Sequence, residues 1–234
     1  MQNFLVFFPG VWYNSPRAET KIPGSPGPLG ASFHCGRTGG PRGELLLWAG
    51  DEQGGEGLDF WGHLKTVHRH RALVRKHCFR LGLYWQGLTH DLSKYAPVEF
   101  WPGVKYFQGD HSPNDQQRRE EGCSAAWLHH KGRNKHHFEY WTDYQQDGSG
   151  IGGVEMPPKY VAEMFCDRLA ASKVYKGGNF DPGDPYKFFE RGKGRRLLLH
   201  PATAALLERI LVMLRDEGED AAFAFVRREV LGKK

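Results

Sequence analysis

Long apolar runs are missing from this chain. No stretch approaches the roughly 18 consecutive apolar residues that a membrane-crossing helix needs. The short apolar opening, Phe4 to Phe8, has no basic region ahead of it and runs into Pro9 and Gly10 instead of a small-residue cleavage site. Neither a membrane span nor a secretory leader is expected. Cysteine is scarce: Cys35, Cys78, Cys123 and Cys166 stand far apart with no CxxC pair, which argues against a zinc knuckle and a disulfide framework and predicts a reducing, cytoplasmic setting. Internal repeats and sustained polar–apolar alternation are also absent, so solenoids and sheet proteins drop out. Nor is there a long basic tract. The 32 Lys and Arg against 27 Asp and Glu give a net charge of +5, a mild excess compatible with an anionic substrate, and it leaves nucleic acid open as a partner.

Glycine and proline are plentiful, and unevenly placed. Residues 1–57 are crowded with them (KIPGSPGPLG, CGRTGGPRGE, GDEQGGEG) and carry no periodic pattern, so this extension is expected to hold little fixed structure. The character changes at Leu58. Trp61, Leu64, Val67, Val74, Cys78 and Leu81 recur at three, four or seven, the apolar stripe of one long helix ending near Gly82. A short helix from Trp85 to Lys94 follows, then one opened by Pro97, then a fourth from Asp115 or Ser124 to Tyr144. A glycine-rich turn leads to a fifth behind Pro157-Pro158, and two more close the chain on either side of Gly218. The expected architecture is all-α, one helical domain over residues 58–232.

Twelve histidines are many for 234 residues, and most lie between Leu58 and Trp141. Imidazole and carboxylate are the ligands of manganese, iron, cobalt, nickel and zinc ions, so such a cluster on several helices suggests a metal site. At 100° per residue His70 falls at the edge of the first helix's stripe, with His63 two turns earlier, while His68 points away. A core histidine bonded to a carbonyl is the competing reading of His70 alone. His90 and Asp91 follow twenty residues later, and Lys94 stands one turn beyond. Asp167 sits among the apolar Met164, Cys166 and Ala170, where an uncompensated carboxylate is costly; Glu163, one turn before it, is its competitor.

The segment AAWLHHKGRNKHHFEYW, residues 125–141, places Trp127, His130, Asn134, His137 and Trp141 at spacings of three and four. Read as one helix, this buries His130 and His137 and puts His129 and His136 nearer the boundary. Seven residues span about 10.5 Å of helix, so His130 and His137 would serve two neighbouring ions, or one ion and a substrate.

The blocks YWQGLTHDLSKYAPVEF, AAWLHHKGRNKHHFEYW and MPPKYVAEMFCDRLAASKVY resemble the hallmarks of a bacterial and phage family of unknown function. The order of a helix-borne His70, then His90-Asp91 continued as HDxxK, then a distant Asp167 is similar to that of HD-domain phosphohydrolases. This resemblance implies an HD-type helical bundle holding one or two divalent transition-metal ions on His70, His90, Asp91 and Asp167, and the helix face shared by His130 and His137 adds these two as ligand candidates. The resemblance also implies hydrolysis of a phosphate ester, with a phosphorylated small molecule or nucleotide as partner. Asp91, Lys94 and Arg133 then stand as catalytic candidates, and Lys94, Arg133 and Lys173 as phosphate contacts. The surplus histidines keep open a di-iron oxygenase resembling myo-inositol oxygenase. A non-catalytic metal-binding or nucleic-acid-binding module is the third reading.

Overall fold

Asp59 starts the first helix by accepting a hydrogen bond from the Gly62 amide at 2.7 Å, the usual way of satisfying a free N-terminal donor. The computed structural model describes residues 58–192 and 198–233, and the expectations for residues 1–57 fall outside them. Helix α1 (Phe60–Arg80) buries His63, Val67, Val74, His77 and Cys78 along one face. This is the expected stripe with one correction: Trp61 is 74% exposed, because two residues from His63 puts it on the opposite side of the helix.

Helix α2 (Tyr84–Thr89) is shorter than expected. It stops before His90-Asp91, and Asp91 takes a left-handed conformation with φ 53°. A single 3-10 turn (Leu92–Tyr95) leads to α3 (Pro97–Lys105), which opens on a proline already fixed in helical φ. Gly103 lets α3 lie close to α1, since a Cβ there would overlap the His63 ring.

The expected fourth helix is two short ones. Helix α4 (Pro113–Glu121) ends at Gly122 with φ 76°, and α5 (Ala125–Lys131) restarts behind the Ser124 hydroxyl, which accepts from the Trp127 amide at 3.0 Å. Helix α5 ends at Gly132, so the three-four spacing through residues 132–141 runs across turns and not along a helix. Asn134 stabilises that ending by donating its side-chain amide to the His130 carbonyl at 2.8 Å and to Ser93 Oγ at 2.9 Å. A small antiparallel hairpin follows, β1 (Thr142–Tyr144) on β2 (Ile151–Gly153), with Asp143 opposite Gly152.

Helix α6 (Pro158–Lys176) is buried almost all round in its first half, with Val161 through Cys166 all buried. It packs on α1 and also on α8 (Pro201–Glu217), which explains why no single polar face shows in its sequence. Helix α7 (Asp184–Arg191) and helix α9 (Glu219–Phe225), which runs into a wide π-type turn at Val226–Val230, close the bundle against α8 and α6. Val74, Leu81, Phe165, Leu169, Leu207, Ile210 and Leu214 form its apolar centre, each such side chain contributing roughly 1.5–3 kcal/mol by leaving water. The all-α expectation holds. No helix among the described residues is long and apolar enough to cross a membrane.

Candidate metal centre

Four segments bring histidines and carboxylates to one place: the middle of α1, the turn after α2, the stretch from α5 to residue 137, and α6. The left-handed backbone at Asp91 turns its carboxylate into the middle of them. Asp91 Oδ2 lies 3.6 Å from His70 Nε2 and 3.5 Å from His90 Nε2, and Asp167 Oδ1 lies 3.1 and 3.6 Å from the same two nitrogens. Asp91 Oδ1 faces the other way, 3.2 Å from His130 Nε2 and 3.4 Å from His136 Nε2. His70, His90, Asp91 and Asp167 thus form one grouping able to hold an ion, and Asp91, His130, His136 and His137 a second, the donor atoms within each lying within 4.8 Å of one another.

The fit to a metal rests on three observations. Bonds of about 2.0–2.2 Å at tetrahedral or octahedral angles set neighbouring donors roughly 3–3.6 Å apart, which is the range found here. Second, His90 Nε2, His136 Nε2, His137 Nε2 and Asp91 Oδ1 are buried without a hydrogen-bond partner. Stranding each polar atom costs about 1–3 kcal/mol, and a shared cation removes that cost. Third, the opposite nitrogens are anchored: His90 Nδ1 donates to Glu163 Oε1 at 3.0 Å and His130 Nδ1 to Glu99 Oε2 at 2.7 Å, which aims each Nε2 lone pair inward.

The electrostatics agree. Burial opposes charge on Asp91, but His90, Lys94 and His130 outweigh it and hold the carboxyl well below its usual range. Asp167 is likewise held low against burial by His70 and His90. Burial favours neutral His90, yet Asp91, with Asp167 and Glu163, raises it well above the ordinary histidine range. His137 goes the other way, depressed by burial and then by His136 and His130, so it stays in the neutral form a metal requires.

Of the candidates read from sequence, the structure brings together His70, His90, Asp91, Asp167, His130 and His137, with Lys94 Nζ 3.4 Å from Asp91 Oδ2. Arg133 and Lys173 are engaged elsewhere. Arg133 is exposed and donates to the His129 carbonyl at 3.4 Å, because the chain leaves helical geometry just before it; Lys173 pairs with Glu219 at 2.5 Å across α6 and α9. His136, read as a boundary residue, is 1% exposed and joins the second grouping. The turn after Gly132 is what places two successive histidines inside. His63 is a core residue packed between Phe100 and Phe107, and His77 stacks on Phe223. Glu163, the competitor of Asp167, sits one turn before it against His90 Nδ1, in a third grouping with His90 and His136. Glu99 went unread, although an acid in the first turn of a proline-opened helix was its visible sign.

The centre is open on one side. Side chains of His70, Asp167 and Lys94 are 12%, 17% and 29% exposed, against 0–3% for His90, His130 and His136. No curated protein and no solved structure shows significant similarity to the chain. One family model does match, over residues 59–213, which contain every residue of the centre. The chain belongs to the Family of unknown function (DUF5662).

Proposed function

We propose that this domain is an HD-type, metal-dependent hydrolase of phosphate esters, acting on a phosphorylated small molecule or a nucleotide. The observation that carries the reading is the two-sided Asp91: one carboxylate oxygen faces His70 and His90 while the other faces His130 and His136. That geometry suits a pair of ions sharing Asp91, with His70, His90 and Asp167 completing one site and His130, His136 and His137 the other. Divalent ions so held lower the pKa of bound water and offset charge gathering on a phosphoryl group.

The chain supplies the rest. Glu163 and Glu99 fix the tautomers of His90 and His130 by accepting from their Nδ1 atoms. Lys94 stands at the open edge, its ammonium favoured, against burial, by Asp91. In that place it receives the phosphate and balances charge on its oxygens. Protein purified without chelator and supplied with manganese or cobalt should release inorganic phosphate from some member of a panel of phosphomonoesters and nucleotides, and chelation should stop it. A fully metallated protein inert towards the whole panel would defeat the hydrolase reading.

One observation favours a second reading, the di-iron oxygenase: the second grouping has three imidazoles to one carboxylate, a donor set that suits iron. Oxygen uptake by the iron(II)-loaded protein separates the two.

A further inference from the structure

We propose that Glu163 is a positioning residue shared by both halves of the metal centre, and that it couples the filling of one half to the filling of the other. The inference rests on the two-site reading above. Glu163 Oε1 lies 3.0 Å from His90 Nδ1 and 3.3 Å from His136 Nδ1. His90 turns its other nitrogen to the first grouping and His136 turns its other nitrogen to the second. One carboxylate oxygen therefore sets the rotation of a ligand in each half. The two rings also touch, with centroids 4.3 Å apart.

Glu163 is well placed for this. It lies one helical turn before Asp167 on α6, is only 5% exposed, and is enclosed by a helix buried on nearly every side. Its carboxyl cannot move to solvent to release one imidazole and keep the other. An ion that draws His90 Nε2 into line tightens the Nδ1 contact and fixes Glu163, and the fixed carboxylate then holds His136 ready. By linkage the effect is reciprocal: whichever half fills first favours the other.

Glu99 is the internal contrast. It accepts from His130 Nδ1 at 2.7 Å and from His129 Nδ1 at 2.5 Å. His130 belongs to the second grouping alone, and His129 to neither. Glu99 thus serves one half where Glu163 serves both. Glu163, His90 and His136 could themselves hold an ion on their Nδ1 side. The pairing argues otherwise, since the Nδ1 atoms already have Glu163 as acceptor, whereas Nε2 of both rings is the buried atom left without a bond.

The test uses the full chain, stripped with chelator and titrated with cobalt(II), read by calorimetry and by the visible absorption of the bound ion. The wild type should take two ions per chain with positive cooperativity. Glu163→Gln should weaken both by about tenfold to a hundredfold, the usual range for removing an outer partner of a metal-bound histidine, and should abolish the cooperativity. Glu99→Gln should weaken one ion and spare the other. Should the Gln substitution unfold the chain, Glu163→Asp keeps the charge and the helix but withdraws the carboxylate by one methylene, and carries the same two-site signature more mildly. Loss confined to one ion in the Glu163 variants, or an ion found on the Nδ1 side in crystals of the cobalt form, overturns the proposal while leaving the metal centre standing. A wild type that takes no cobalt overturns both.

Discussion

Arg71 is the residue whose loss most sharply tests whether the turn at Asp91 is held under strain for the sake of the centre. Asp91 is the only non-glycine with positive φ among the described residues, and a left-handed conformation costs roughly 1–2 kcal/mol for an ordinary side chain, somewhat less for aspartate. Arg71 grips the chain around it, donating from Nε to the His90 carbonyl at 2.9 Å, from Nη2 to the Leu88 carbonyl at 3.3 Å and from Nη1 to the Tyr95 hydroxyl at 3.0 Å. Hydrogen bonds from a charged donor are worth about 1.5–3 kcal/mol each when shielded. Only the His90 bond is part-buried, so we take its full value and discount the others, giving about 2–4 kcal/mol for Arg71→Ala. For a domain of this size that corresponds to a fall in Tm of about 5–15 °C. If half the loss appears as relaxation of the Asp91 turn, apparent metal affinity should drop about fivefold to thirtyfold, since only the competent fraction binds. Competition against a chromophoric chelator measures the affinity and thermal unfolding of the stripped protein measures the stability. Arg71→Lys, lacking the planar fork, should fall between. An Arg71→Ala protein that melts lower but binds cobalt with wild-type affinity would refute the link between the clamp and the centre.

Three further outcomes follow from the geometry. His136→Ala and His137→Ala should each cost the second ion and spare the first in elemental analysis, whereas His129→Ala, whose partner Glu99 still holds His130, should keep both. The stripped protein should lose stability as pH rises from near neutrality: His90 and His130 are raised above 6.5 against burial, chiefly by Asp91, so their contribution is complete below about 6.5 and is lost through their raised values. The low Asp91 and Asp167 keep theirs down to well below the usual carboxylate range. Melting curves across pH should show the alkaline loss in stripped protein and its absence in the metal-loaded form, where ions replace the protons. Phe165→Ala, at a fully buried position on α6, should cost about 3–5 kcal/mol in urea titrations.

Where one local pattern decides an element, the sequence could be read directly. The three-four stripe of α1 and the run from Pro158 to Lys176 needed only apolar spacing and a proline to be placed. The break after α5 could not be read so, because Gly132 is tolerated inside helices and the spacing from Trp127 to Trp141 happens to continue across turns. The helix is capped at Gly132, and Asn134 holds that ending by bonding both the His130 carbonyl and Ser93, forty-one residues away, a tertiary contact that the spacing does not show. His136 was misplaced for that reason. Asp167 was legible because a carboxylate among apolar residues needs a compensating partner, and the same argument raised Glu163, though not the post it holds. Arg71 acts on backbone carbonyls and carries no motif, and the one sign of Glu99 is its place in the first turn of α3.

The proposed centre places Asp91 between two metal sites. Its most direct test is anomalous diffraction from crystals of the cobalt- or manganese-loaded protein, recorded at the metal edge. Two peaks per chain are expected, one bounded by His70, His90 and Asp167, the other by His130, His136 and His137, with a different oxygen of Asp91 directed at each. A fully occupied crystal with a single peak away from Asp91, or no peak near these residues at all, would contradict it.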